Sequence, residues 1–360
     1  MENPPADAPL ILPEPKSVRW GDGFLPWERA EFKIGVDGMP TGEFLSVEFA
    51  DMPQEAHDIS ISEVGIKIRA GSGRGAKLAL QTLRQIGMQS DGRGFRFAEI
   101  SDAPDLEVRG FMLDISRCKV PKLGELSRLV DMLALFKYNR LELYMEHTFA
   151  FEGHEIVWAG ASPLSPAAVR KLGEICAVAG VELVPNMNGL GHMERWLRYP
   201  EYQYLAESEA PFVDPLGTVR KYPTTLYPDG RALDFMDSLY AQLLPNFESE
   251  NFNIGGDEPW ELGMGRSRAR CATEGGKYGV YIAHMLGLRE RAAKYGKKVC
   301  FWADVLMQSP EYSELLPCDM TPILWGYYLD HPYEEQCSYM KGLGRDFLVA
   351  PGTSAWNSFG

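Results

Sequence analysis

The sequence predicts an α/β protein: a (β/α)8-type TIM barrel, incomplete at its C-terminus, preceded by a small α+β domain. Three observations lead there. From about residue 105 onward, short apolar runs alternate without reversal with segments of helical periodicity. Polar and aromatic side chains collect at the ends of the strand-like runs, where a β/α barrel places its chemistry. No Gly-x-Gly-x-x-Gly opens a helix after the first strand, so an open dinucleotide-binding sheet has little support.

The first domain is read as residues 1–104, opened by Pro13-Glu14-Pro15. Residues 31–36, 57–61 and 65–69 alternate with a period near two and predict strands. A glycine-rich turn at 71–75 leads into a predicted helix over 77–87, with Leu78, Leu80, Leu83 and Ile86 on one face. Nothing in this domain reads as catalytic, and its acidic residues are most simply a solvated surface. Asp102-Ala103-Pro104-Asp105 marks the boundary, and residues 105–360 are expected to form the barrel.

Barrel strands are predicted at 108–116, 140–147, 181–188, 251–257, 299–306, 322–327 and 347–350. Helices are predicted at 123–137, 165–180, 233–247, 278–295 and 333–343. Pro166 in a first helical turn and Gly180 just past a helix end follow the expected asymmetry. The irregular segment 193–230 is long for a compact domain, and such excursions usually carry function. An eighth strand and helix are not legible before Gly360, so the expectation is a truncated barrel. There is no internal repeat and no low-complexity tract.

Of the 360 residues, 45% are hydrophobic and 24% charged, and the formal net charge is −14. An acidic chain argues against nucleic acid and anionic membrane as partners, since both call for basic surface. The acidic, proline-rich N-terminus has neither the basic nor the apolar region of a signal peptide, and the apolar runs are too short to span a bilayer. The six cysteines are scattered without a Cys-x-x-Cys pair and read as free thiols. The expected location is cytoplasmic; the oligomeric state is left open.

The stretch that carries chemistry is Asn253-Ile254-Gly255-Gly256-Asp257-Glu258-Pro259-Trp260. Neighbouring side chains of a strand point to opposite faces, so two adjacent carboxylates serve one pocket only if the backbone turns there. The glycines and Pro259 permit that turn, although the same residues also make ordinary loops. Other candidates fall at strand ends: Arg109 and Asp114 on the first, Glu146 and His147 on the second, Asn186, Asn188 and His192 after the third. Trp302 and Asp304 lie on the fifth, Trp325 on the sixth, and Trp356 with Asn357 after the seventh. Carboxylates and a guanidinium beside tryptophans suit a carbohydrate, whose hydroxyls bind the former while its apolar ring face stacks on the latter. Plainer readings exist: each tryptophan as core, Arg109 as a structural ion pair, His192 as a packed loop histidine. A zinc site from His147, His154 and His192 lacks ligand spacing, and a serine hydrolase lacks its Gly-x-Ser-x-Gly elbow, so neither a metal nor a cofactor is expected.

Arg109-Gly110-Phe111-Met112-Leu113-Asp114, then Gly191-His192, then Gly255-Gly256-Asp257-Glu258, in that order behind a small α+β domain, resembles glycoside hydrolase family 20, the β-N-acetylhexosaminidases. The resemblance implies exo-acting, retaining hydrolysis of terminal β-linked GlcNAc or GalNAc without an enzyme nucleophile: the substrate's own acetamido oxygen attacks the anomeric carbon and forms an oxazolinium ion. It implies Glu258 as acid and base, Asp257 as the group that orients the acetamide, and His192 as support for Glu258. Arg109, Glu146 and His147 would bind the sugar, walled by Trp302, Trp325 and Trp356. The chain departs from better-known members, which carry paired aspartates where Glu146-His147 stands, acids where Asn186 and Asn188 stand, and proline at Leu190. Two competing readings are a sugar-binding protein without turnover and a glycosidase with no acetamido requirement.

Overall fold

The computed structural model describes Pro5 and residues 8–117, 119–215 and 217–353. Two compact units emerge, one formed by Met1–Met112 with Pro121–Leu141 and Lys171–Leu183, the other by Leu113–Val120, Glu142–Arg170 and Val184–Gly360.

The first unit contains a five-stranded sheet of β1 (Ser17–Leu25), β2 (Leu45–Phe49), β3 (His57–Ser62), β4 (Gly65–Ala70) and β5 (Phe95–Asp102), in the order β1-β5-β3-β4-β2. Helix α1 (Gly73–Met88) is capped by Ser72, whose hydroxyl accepts the Arg74 amide at 3.1 Å. Alternate residues Ile59, Ile61, Ile66 and Ile68 of the sheet share a buried core with Leu83 and Ile86 of the helix, so the two periods of 2.0 and 3.6 converge on one apolar layer. The strands predicted at 57–61 and 65–69 are β3 and β4; β1, β2 and β5 were not anticipated, and the run at 31–36 contributes only Lys33–Ile34.

Seven further strands are β6 (Gly110–Asp114), β7 (Arg140–Met145), β8 (Glu182–Met187), β9 (Asn251–Asn253), β10 (Lys298–Trp302), β11 (Met320–Gly326) and β12 (Leu348–Pro351). They lie in chain order in one curled sheet, and β8 to β12 pair in parallel. The connecting helices include α2 (Leu123–Leu135), α3 (Pro166–Ala179), α4 (Gly230–Leu243), α5 (Gly276–Ala293) and α6 (Tyr333–Gly342). Parallel strands need such crossovers, which cover both faces of the sheet: all six residues of β7 are buried, Arg140 and Glu142 included. Among the described residues no helix is long and apolar enough to cross a membrane.

Candidate active site

The acid pair leaves the barrel on a turn. β9 ends at Asn253, and Gly255, Gly256 and Glu258 all have left-handed backbone, with φ of 71°, 93° and 44°. A Cβ at Gly255 would stand 1.8 Å from Asn188 Oδ1, so only glycine lets this turn close onto the end of β8. The turn is anchored by the Gly255 amide on Asn253 Oδ1 at 2.9 Å and by the Trp302 amide on the Gly255 carbonyl at 3.0 Å. Below it, Glu142 of β7 accepts Asn186 Nδ2 at 2.7 Å and Asn253 Nδ2 at 2.9 Å, which satisfies polar groups buried inside the barrel.

Opposite the turn stands His192, also left-handed at φ 57°. A Cβ on its neighbour Gly191 would lie 2.2 Å from the Asp257 carbonyl, so the histidine loop and the acid loop meet backbone to backbone. His192 Nε2 sits 3.1 Å from Asp257 Oδ2 and 3.3 Å from Glu258 Oε2, between the two carboxylates at ion-pair distance. Its Nδ1 is 3.3 Å from Glu146 Oε1. Burial alone would discharge the imidazole, but the charges and hydrogen bonds of Asp257, Glu146 and Glu258 outweigh it and hold the group well above the usual histidine range. These contacts favour the charged form of His192.

Glu146 is the hub on the far side. It pairs with Arg117 at 2.6 Å and accepts the Tyr144 hydroxyl at 3.0 Å. The Glu146 amide donates to Ser116 Oγ and its carbonyl accepts Trp196 Nε1, both at 2.7 Å, so backbone and side chain are fixed together. Burial pushes its carboxyl up, and His192, Arg117 and Tyr144 overcome that and leave it below the ordinary range. Arg117 also pairs with Asp114 at 3.2 Å, lies over the Tyr144 ring at 5.1 Å, and remains 34% exposed. Asn188 Nδ2 donates to the Tyr144 hydroxyl at 2.7 Å and completes the chain back to the Gly255 turn.

Behind the acids lies a third carboxyl group. Asp304 opens a one-turn helix after β10 and accepts the Glu258 amide at 3.2 Å and Trp325 Nε1 at 3.3 Å. Burial, then the nearby Asp257 charge, push it up to about 7, so it holds a proton over much of the neutral range. Tyr281 of α5 is buried beside the same pair, and a Cβ at Gly256 would stand 2.9 Å from its hydroxyl.

Of the residues singled out from sequence, the structure brings Asp257, Glu258, His192 and Glu146 into direct contact, with Trp325 joined through Asp304 and Trp302 through Gly255. Trp302 is only 5% exposed, and its buried indole N–H has no partner among the described residues. His147 follows Glu146 but has no hydrogen bond to the cluster; burial, with Arg195 and Arg198, pushes its imidazole down to about 4 despite Glu146. Arg109 is engaged within the first unit, where its guanidinium meets Glu55 at 2.9 Å, the Leu106 carbonyl at 2.6 Å and the Lys137 carbonyl at 2.7 Å. The guanidinium at the cluster is Arg117, which the sequence reading did not select. Its position just beyond the C-terminal end of β6 was the available signal, whereas Arg109 precedes that strand. Trp356 lies outside the described residues.

Comparison with known proteins agrees with this geometry. Residues 107–351 match the family model described as glycosyl hydrolase family 20, catalytic domain. The chain is 26% identical over 336 residues to a beta-hexosaminidase of Akkermansia muciniphila, covering 83% of this chain and 64% of that protein. It is 24% identical over 240 residues to human hexosaminidase D, covering 64% and 47% respectively. Among solved structures, a Flavobacterium johnsoniae chitobiase superposes with a TM-score of 0.78 at 18% identity, over 95% of this chain and 59% of that one. A Bacteroides fragilis beta-N-acetylhexosaminidase gives 0.76 at 20% identity, over 96% and 75%. The match to the family model takes in every residue of the cluster around His192, and the chain belongs to glycosyl hydrolase family 20.

Proposed function

We propose that this chain is an exo-acting β-N-acetylhexosaminidase that removes terminal β-linked GlcNAc or GalNAc with retention of configuration. The observation that carries the reading is the pair Asp257 and Glu258 converging on one face of a single imidazolium, with Nε2 at 3.1 and 3.3 Å, while Glu146 holds the other face. Two adjacent carboxylates leave no room for the separated acid and nucleophile of an ordinary retaining glycosidase, which come about 5–5.5 Å apart from different strands. They suit a division of labour in which the substrate supplies the nucleophile.

In the first step the acetamido oxygen bonds to C1 as the C1–O bond to the leaving group breaks, and Glu258 delivers its proton to that oxygen. Asp257 accepts from the acetamido N–H, aligning the carbonyl for attack and balancing the positive charge that develops on the oxazolinium. In the second step Glu258 takes a proton from water as its oxygen bonds to C1 and the oxazolinium ring opens. His192, fixed by Glu146, holds both carboxylates in place through each transfer. Arg117, partly exposed and anchored by Asp114 and Glu146, presents donors to sugar hydroxyls, and Trp302 and Trp325 wall the pocket.

The test is hydrolysis of 4-nitrophenyl β-GlcNAc, β-GalNAc and β-glucoside by the protein and by Glu258→Gln, with and without a thiazoline mimic of the oxazoline. Release from the acetamido sugars alone, blocked by the thiazoline and lost in the variant, is expected. Equal release from the glucoside overturns substrate assistance, and sugar binding without release from any of the three supports a binding protein.

A further inference from the structure

Three residues beyond Glu258 lies a carboxylate that the mechanism above does not use. Glu261 is 1% exposed, and among the described residues its partners are neutral donors. Its Oε1 accepts the amides of Thr224 at 2.7 Å and Thr225 at 3.3 Å, and its Oε2 accepts both threonine hydroxyls at 2.6 Å. With the Ser208 hydroxyl on Oε1 at 3.5 Å, five donors converge on this buried carboxylate and make a strong directional anchor, because any partner lost leaves charge without solvation.

What Glu261 grips is the segment that brackets His192. The Met193 amide donates to the Thr224 carbonyl at 2.8 Å, and the Leu226 amide donates to the Leu190 carbonyl at 2.9 Å. Residues 190–193, the histidine loop, are thus paired on both sides of His192 to 224–226, and that strip is tied through Glu261 to the acid loop. A short covalent path leads back from Glu261 to Glu258, with the Trp260 amide on the Glu258 carbonyl at 2.8 Å. A second buried glutamate, Glu207, is 0% exposed and accepts Ser267 Oγ at 2.7 Å, the Ser267 amide at 3.0 Å and the Gly265 amide at 3.1 Å. It fastens the long excursion to a more distant part of the same loop and provides an internal comparison.

We propose that Glu261 is a positioning residue that holds the acid Glu258 and the imidazole of His192 in register by clamping the acid loop to the strip 224–226. The proposal rests on the glycosidase reading. The contacts it protects are the 3.1 and 3.3 Å approaches to His192 Nε2. The groups that face that imidazole are Asp257 and Glu258 at Nε2, Glu146 at Nδ1, the Arg117 guanidinium 3.4 Å from Nδ1, and the Tyr144 ring edge-on to it. Glu261 faces none of them and acts only through distance.

A misplaced general acid hurts poor leaving groups most, because a good one departs without its proton. The experiment compares kcat on 4-nitrophenyl and methyl β-GlcNAc for the wild type, Glu261→Ala, Glu261→Gln and Glu207→Gln, with an NMR titration of the His192 imidazole in each. In Glu261→Ala the methyl glycoside is expected to lose about 10- to 100-fold more than the aryl glycoside, the scale of a misplacement near 1 Å, and the His192 midpoint falls. Glu261→Gln, which keeps one acceptor oxygen, falls between. Glu207→Gln is expected to lower Tm while its two substrates lose equally and the His192 midpoint stays in place. Equal losses on both glycosides in Glu261→Ala, with an unmoved midpoint, overturn the proposal and leave Glu261 a fold-stabilising group. If Glu261→Ala does not fold, Thr225→Val removes one 2.6 Å donor and keeps both amides, and the same two readouts decide. If the wild type turns over no sugar at all, the glycosidase reading fails, while the imidazole midpoint still decides whether Glu261 holds His192.

Discussion

Glu146→Gln isolates the far half of the imidazolium bridge. The change keeps shape and volume, removes one negative charge 3.3 Å from His192 Nδ1, and leaves the Tyr144 and Arg117 contacts with an amide oxygen. At that distance a charge pair in an effective dielectric of about 20 attracts by about 5 kcal/mol before desolvation is charged against it. Relieving the buried carboxylate of its own desolvation returns about half of that, so a net loss of stability of about 2 kcal/mol is expected, and the His192 imidazole titrates at lower pH than in the wild type. The sign follows from linkage. His192 has a folded pKa above its unfolded value of about 6.5, so its ion pairs contribute fully below that pH and are lost as pH rises through the folded value. In Glu146→Gln that upper limit moves down, so Tm begins to fall at lower pH than in the wild type. The assay is the His192 imidazole titration by NMR beside Tm measured from pH 5 to about 10. An unshifted imidazole midpoint in a folded variant would refute the bridge as drawn.

Three further outcomes are expected. Arg117→Ala should lower kcat/KM by about 100-fold, close to 2.7 kcal/mol, chiefly through KM, whereas Arg109→Gln should lower Tm and leave KM within about twofold; steady-state kinetics on both variants checks this. Asp304→Asn should flatten the stability profile. An aspartate raised from about 3.8 to about 7 penalises the folded state increasingly across that interval, so the variant gains relative stability as pH rises through it, by about 2–4 kcal/mol, readable by urea titration at pH 4 and 8. Gly191→Ala should cost about 3 kcal/mol or prevent folding, because its Cβ would meet the Asp257 carbonyl at 2.2 Å; a variant with wild-type Tm would contradict the close approach of the two loops.

The barrel was legible because strands such as Lys298–Trp302 are buried on both faces and carry apolar runs, whereas Arg140–Met145 alternates Arg, Leu, Glu, Leu although all six residues are buried. The strands of the first unit were harder. β1 carries Gly21-Asp22-Gly23 where its pairing slips between Trp20 and Phe24, and β2 is a half-exposed edge, so neither keeps a clean period of two. At the site, the acids and His192 announced themselves through glycines that only a turn requires. Arg117, Tyr144 and Glu261 did not, although Asp304 was picked out by its place after a strand. Each of the three is an ordinary residue whose role exists only in distances between segments far apart in the chain: Tyr144 to Asn188 spans 44 positions and Thr224 to Glu261 spans 37. The cluster also turned one sequence expectation around, since the arginine that reaches it is Arg117, beyond the motif and after β6, and not Arg109 within it.

The left-handed backbone at Glu258 and His192 has a consequence for how this site tolerates change. A residue with a side chain at φ 44° or 57° stores roughly 1 kcal/mol or more that the surrounding loops must hold in place. Glycine would release it. At His192 the ion pairs to Asp257, Glu258 and Glu146 outweigh that relief, whereas Glu258, 34% exposed, has less to lose. A screen of variants by melting temperature alone would therefore guard the imidazole and be least protective of the acid beside it.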